Sequence, residues 1–187
     1  TTRAQSPDTD DWKKPLSVMK HLSSSRELVL AAEGDDTQIL KWWIDGSFAT
    51  HHDMRSHAGG MLSMAKGEAC GTSIKQKLNT KSSTETELVA TNDVLHQALW
   101  ARCFLDAQGC NVKESVICQD NLSAVLMKKS VKGSSSKRTR HINIRCFFIK
   151  DRIASKEVSI EHFPTGEMTA DFFTKPWQGI AFRKFRD

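Results

Sequence analysis

Four carboxylates, Asp45, Glu87, Asp120 and Asp171, fall at the edges of four different predicted elements of this chain. Acids so far apart in sequence act together only if the fold gathers them onto one rim. Gathered there, they offer the hard oxygen ligands that divalent ions take, and two such ions about 4 Å apart are suited to breaking a phosphodiester. Without cations between them the acids repel, at about 1 kcal/mol for each pair 4 Å apart in water and more where water is scarce. Taken singly, three of them have ordinary readings. Asp45-Gly46 closes a strand as a turn, Asp120 caps a helix that begins near Leu122, and Asp171 is a solvated helix residue.

Glu87 is more informative. At about 100° per residue, Leu88, Leu95, Ala98, Leu99 and Leu105 define one apolar sector of a helix, and Glu87 falls inside it. Glu85 falls outside and has a structural task of its own, because Ser82-x-x-Glu85 fits a capping box. A carboxylate on the buried side of a helix needs a partner. No Lys or Arg occupies that sector near the helix start, so a metal ion, or a neighbouring acid sharing one, is the simplest partner. Glu87 is read as a metal ligand.

The elements must then bring the four acids together. Asp45 ends the apolar run Ile39-Leu40-Lys41-Trp42-Trp43-Ile44, and Asp120 ends the run Val116-Ile117-Cys118-Gln119. If these strands are parallel neighbours, both acids emerge at one carboxyl-end rim, where open α/β sheets place ligands. Helices have to deliver Glu87 and Asp171. The punctuation supports this order: strand, hairpin and strand from Gln38, with 59–62 pairing 69–74 through Lys66-Gly67, then a long helix over 83–108 stopped by Gly109. The strand at 116 follows, then a helix over 122–129. A helix with Ile142, Cys146, Ile149 and Ile153 on one face comes next, then a strand over 158–163 and a final short helix containing Asp171 before Pro176. Early strands read as antiparallel, and later ones, separated by helices, as parallel. The fold class is α/β: a mixed sheet flanked by helices.

Ahead of this, residues 1–10 are polar and read as disordered. Trp12, Leu16, Met19 and Lys20 follow a helical period behind Asp11 as a cap, and 27–32 reads as a short strand. Gly34-Asp35-Asp36 marks the preferred boundary, giving 1–34 and 35–187 as domains. Thr1 in place of Met points to a piece of a longer product. The 187 residues, 39% of them apolar, suit one core plus an appendage. No run approaches a membrane span. The five cysteines are odd in number and contain no Cys-x-x-Cys, which reads as reduced thiols in an intracellular setting. His51-His52 reads as a solvated loop in preference to a metal pair.

The net charge of +5 matters less than its placement. Lys128, Lys129, Lys132, Lys137, Arg138, Arg140 and Arg145 occur with no acid among them, joined by Ser134, Ser135 and Ser136. A solvated loop is the ordinary reading. A phosphate track beside the rim is favoured, because the run directly follows the helix after Asp120.

Five ordered blocks carry a resemblance: Trp43-Ile44-Asp45-Gly46-Ser47, Lys81-Ser82-Ser83-Thr84-Glu85-Thr86-Glu87-Leu88, Gln119-Asp120-Asn121-Leu122-Ser123-Ala124, Lys137-Arg138-Thr139-Arg140-His141-Ile142-Asn143-Ile144-Arg145 and Ala170-Asp171-Phe172-Phe173-Thr174-Lys175-Pro176. Together they resemble the ribonuclease H domain of copia-type retrotransposon Pol polyproteins, from about Gln38 to Pro176. The helix near Trp12 resembles the connection that follows the reverse transcriptase there, and the polymerase motifs are absent.

The resemblance implies an RNase H-like fold with a mixed five-stranded sheet. It implies an endoribonuclease that hydrolyses the RNA strand of an RNA–DNA hybrid with two Mg²⁺ ions, Mn²⁺ serving as a substitute. Asp45, Glu87, Asp120 and Asp171 match the metal-binding acids, and Arg140 and His141 match a recurrent basic pair assigned to substrate contact or local structure. The implied partners are the hybrid and the reverse transcriptase portion of the parent polyprotein, with no membrane. The implied location is a cytoplasmic particle or the nucleus. A catalytically inactive nucleic-acid-binding remnant is the alternative, with a structural support for the polymerase as a third reading.

Two departures stand out. The segment Pro164-Thr165-Gly166-Glu167-Met168 is short and lacks the His-containing loop of many cellular ribonucleases H, so product release is expected to differ. The chain also has no Tyr. Related sequences often have Tyr where this one reads His21, Cys103, Cys110, Cys118, Cys146 and His162, which predicts an under-packed, marginal core.

Overall fold

The computed structural model describes residues 6–29, 31–35, 37–121, 125 and 140–186. The chain divides into two compact units, Thr1–Ala31 and Ala32–Asp187. The first contains helix α1 (Thr9–Ser24). Its cap is Asp8 rather than Asp11. The Asp8 carboxylate accepts the Asp11 N–H at 2.8 Å and the Asp11 carboxylate accepts the Asp8 N–H at 3.1 Å, a reciprocal box that starts the helix earlier than expected.

The strand expected over 27–32 is not found among the described residues of that stretch. A two-residue strand, β1 (Glu33–Gly34), forms instead and pairs with β4 (Ala65–Lys66).

The main sheet contains β2 (Ile39–Ser47), β3 (His57–Ser63), β5 (Cys70–Lys75), β6 (Glu114–Gln119) and β7 (Ser159–His162), in the order β5-β3-β2-β6-β7. β2 is antiparallel to β3, and β3 to β5. β2 is parallel to β6, and β6 to β7. The mixed five-stranded sheet expected from the sequence is thus present. β6 is buried on both faces from Ser115 to Gln119, as a central strand bonded in parallel on each side should be.

Adjacent glycines in β3 show what covers each face, because neighbouring strand residues point to opposite sides. A Cβ on Gly60 would meet Val94 of helix α2 (Ser83–Ala107), at 2.7 Å. A Cβ on Gly59 would meet Phe173 and Thr174 of the short helix α4 (Asp171–Thr174), both at 2.8 Å. The sheet therefore carries α2 on one side and α4 on the other. Leu40, Trp42 and Ile44 of β2, with Ile117 of β6, form the core with Leu88, Val94, Leu95 and Ala98 of α2.

The capping box read at α2 is half right. Ser82 Oγ accepts the Glu85 N–H at 3.2 Å, but the Glu85 carboxylate accepts the N–H of Lys81 rather than that of Ser82. Gly109 ends the helix region at φ +83, a conformation that favours glycine. Helix α3 (Arg140–Ala154) buries Cys146 and Ile149 on the expected face, with Ile153 packed against the core. Of the helix read over 122–129 only Val125 is described, helical and buried, and the basic residues Lys128, Lys129, Lys132, Lys137 and Arg138 lie outside the described residues. Pro176 does end α4, yet a further helix unforeseen from sequence, α5 (Gly179–Arg186), follows.

All five cysteines are free. Burial pushes the Cys118 thiol up to about 12, so it stays protonated and inert at neutral pH. Of the six positions tied to missing tyrosines, His21, Cys103, Cys110 and His162 are exposed and only Cys118 and Cys146 are buried. Most of those replacements therefore leave no void in the core. Among the described residues, no helix is long and apolar enough to cross a membrane.

Candidate active site

The parallel pairing of β2 with β6 runs from Ile39↔Glu114 to Trp43↔Cys118. Asp45 and Asp120 lie just beyond its end, on one rim. Asp45 sits within β2 rather than at its end, because the strand continues to Ser47 while paired with β3. Glu87 lies in the first turns of α2, where every residue from Thr86 to Thr91 is buried. One carboxylate oxygen each from Asp45, Glu87 and Asp120 fall within 4.8 Å of one another. Asp45 and Glu87 are each 3% exposed.

Asp171, 1% exposed, begins α4 on the same rim. The Lys175 ammonium ties it to the others, donating to Asp171 Oδ1 at 2.7 Å and lying 3.9 Å from Asp45 Oδ2. Burial pushes the Asp171 carboxyl above the ordinary carboxylate range. The Lys175 hydrogen bond opposes that rise, and the charges of Asp45 and Asp120 add to it. Burial works against the Lys175 charge, but its bond to Asp171 and the charges of Asp45, Asp171 and Asp120 hold its ammonium above the ordinary lysine range.

Neutral donors hold the other three acids. Thr174 Oγ1 donates to Asp45 Oδ2, Thr165 Oγ1 to Asp120 Oδ2 at 2.9 Å and Gln119 Nε2 to Glu87 Oε2 at 2.7 Å. None of these donors was assigned a role from sequence. Gln119 had a readable signal, since it alternates with Ser115 and Ile117 on the β6 face that meets α2. Thr174 and Lys175 stood inside a recognised block without a role, and nothing local marked Thr165. The Gln119 amide gives Glu87 a buried protein partner that adds no charge, beside the ion or neighbouring acid expected there.

His51 and His52 do not form a pair. His51 Nε2 instead meets His57 Nδ1 at 3.0 Å, and His57 Nε2 meets Ser73 Oγ at 2.8 Å. His52 is exposed, as in the loop reading. Arg140 and His141 open α3, and Arg145 is half-buried on it.

The chain is 28% identical over 172 residues to the retrovirus-related Pol polyprotein from transposon TNT 1-94 of Nicotiana tabacum, covering 91% of this chain and 13% of that protein. It is 25% identical over 181 residues to the Pol polyprotein from transposon RE2 of Arabidopsis thaliana, covering 96% of this chain and 12% of that one. LC11-RNase H1, isolated from compost, superposes with a TM-score of 0.52 at 16% identity over 73% of this chain and 93% of its own.

This chain is a homologue of transposon Pol polyproteins, and its fold is that of ribonuclease H.

The foamy viral protease-reverse transcriptase shares that fold, with a TM-score of 0.50 at 17% identity over 72% of this chain and 90% of that one. No protein-family model matches the chain. The chain spans only about an eighth of the Pol polyproteins it matches.

The donor set fits divalent cations. Three carboxylates converge, two of them almost fully buried, and Gln119, Thr165 and Thr174 donate to them without adding charge. Hard, anionic oxygens in that density match Mg²⁺ or Mn²⁺ better than a softer ion. With an ion there, Gln119 would orient Glu87 as outer partners of metal ligands do. Gln119→Met keeps the side-chain volume and removes the donor. It should weaken Mn²⁺ binding about 10- to 100-fold in calorimetric titration. Affinity within twofold of the parent would show that the amide does not orient Glu87.

Proposed function

We propose that the chain is an endoribonuclease that hydrolyses the RNA strand of RNA–DNA hybrids during retrotransposon reverse transcription. The observation that carries this reading is the convergence of Asp45, Glu87 and Asp120 within 4.8 Å on the rim of a ribonuclease H sheet, with Asp171 beside them. Asp45, Glu87, Asp120 and Asp171 would hold two Mg²⁺ ions, with Mn²⁺ able to replace them. Bound there, the ions would supply the positive charge that activates an attacking water and steadies the leaving oxygen.

The residues themselves do the positioning. Thr174, Thr165 and Gln119 fix three carboxylates by hydrogen bonds, and the low water access of the rim strengthens every charge interaction within it. Lys175 supplies a fixed cation between Asp45 and Asp171. Selection for RNA would rest on the 2′-hydroxyl, which DNA lacks. Lys128, Lys129, Lys132, Lys137, Arg138, Arg140, His141 and Arg145 are the proposed contacts to the hybrid, and the reverse transcriptase portion of the parent polyprotein is the proposed protein partner. Burying carboxylates is costly, so their retention favours an enzyme over an inactive binding remnant.

The test is incubation with end-labelled RNA–DNA hybrid, with Mg²⁺ and with EDTA, beside a DNA duplex of the same sequence. Cleavage confined to the RNA strand, dependent on Mg²⁺ and lost in Asp120→Asn, is expected. Binding without cleavage in the parent chain would leave the remnant reading standing instead.

A further inference from the structure

α5 is a basic helix fastened beside the acids. Its eight residues include Arg183, Lys184 and Arg186 in the last turn and no acidic side chain. Two of its contacts reach the segments that carry the acids. The Phe182 ring lies 5.5 Å from that of Phe172, which follows Asp171 in α4. The Lys184 ammonium donates to the Gly166 carbonyl at 2.5 Å, and Gly166 follows Thr165, whose hydroxyl holds Asp120. α5 is therefore fastened to both of the segments that place Asp120 and Asp171. Arg183 and Arg186, one helical turn apart, are exposed.

We propose that α5 is a phosphate-binding surface that grips the backbone of the nucleic-acid substrate next to the acid cluster. This rests on the ribonuclease reading above and adds a second basic element to it, on the far side of the sequence from residues 128–145. A rim built of four carboxylates repels a polyanion, so the grip has to come from cations outside the cluster yet close to it. Lys184 is committed to seating the helix through Gly166. Arg183 and Arg186 supply the planar guanidinium groups that pair with phosphate oxygens in two-point fashion.

The experiment uses the full chain and a fluorescent RNA–DNA hybrid. R183Q/R186Q keeps Phe182 and Lys184, and a melting temperature equal to the parent's checks that the helix keeps its seat. Anisotropy in Ca²⁺ should show Kd rising about tenfold at 0.1 M salt, with the slope of log K against log salt shrinking by about 1 to 2. In Mg²⁺, KM should rise while kcat stays within about twofold, and Mn²⁺ affinity should match the parent. R183K/R186K, which keeps the charge, should restore the salt slope. Unchanged Kd and slope in R183Q/R186Q, with the parent binding hybrid normally, would overturn the proposal and leave α5 to an acidic protein partner. A parent chain that fails to bind hybrid at all would instead remove the ribonuclease reading, and this surface with it.

Discussion

Glu87→Gln should lower Mg²⁺-dependent cleavage of hybrid by on the order of 10³-fold while raising the melting temperature of the metal-free protein. Opposite signs are expected because the carboxylate works for function and against the fold. Glu87 is buried with Asp45 and Asp120 in reach, and removing one charge relieves about 1 kcal/mol for each neighbour 4 Å away, at the lower, water-screened limit. In a domain of this size each kcal/mol corresponds to a rise of about 2–4 °C, so the two neighbours together give about 4–8 °C. The variant amide still accepts the hydrogen bond from Gln119 through its oxygen, so that donor keeps its partner. Added Mg²⁺ should stabilise the parent chain and fail to stabilise the variant. Calorimetric melts with and without Mg²⁺, beside the cleavage assay, decide the matter. A lower metal-free melting temperature together with retained cleavage would mean that Glu87 is an ordinary buried acid.

Gly59→Val should abolish most of the activity by a different route, with the acids themselves intact. Gly59 sits directly across from Asp45 in the β2–β3 register. An added Cβ would come within 2.8 Å of Phe173 Cβ and Thr174 Cγ2 and 3.0 Å of the Ala170 carbonyl. Two of those three neighbours are backbone or Cβ atoms, which cannot swing aside, so α4 has to lift. Overpacking of this kind costs about 1–3 kcal/mol. Valine itself suits a strand, so the penalty falls on the docking of α4. Displacing Asp171 and the Thr174 hydroxyl by about 1 Å should reduce cleavage roughly 10²-fold. Gly34→Ala, whose Cβ meets nothing within 4 Å, is the control and should leave rate and melting temperature unchanged. Cleavage by Gly59→Val at the parent rate would show that α4 need not rest on β3.

Much of this was readable beforehand because it depends on local chemistry. The apolar runs from Ile39 and from Val116 announced two strands, and the helix over 83–108 announced itself by its period and by Gly109. Glu87 was marked by its place in an apolar sector, and the structure buries it. The donors were harder to see. Thr165 and Thr174 reach acids 45 and 129 residues away, and no local pattern reports a contact across such separations, whereas Lys175 stands at the i+4 helical spacing from Asp171. Asp11 failed as a cap for a related reason: Asp8 and Asp11 each fit the role locally, and only their reciprocal bonding decides between them. α5 was missed because Pro176 reads as a stop, and a helix can restart after Gly179, which sits at φ +64.

The parallel union of β2 with β6 has a consequence for how this centre comes into being. Strands joined in parallel require a crossover, here carried by α2, so Asp45 and Asp120 cannot meet until most of the sheet has assembled. Glu87 rides on that same crossover. No short excised peptide can reproduce the cluster, and affinity for a divalent ion becomes a report on whether the chain has finished folding.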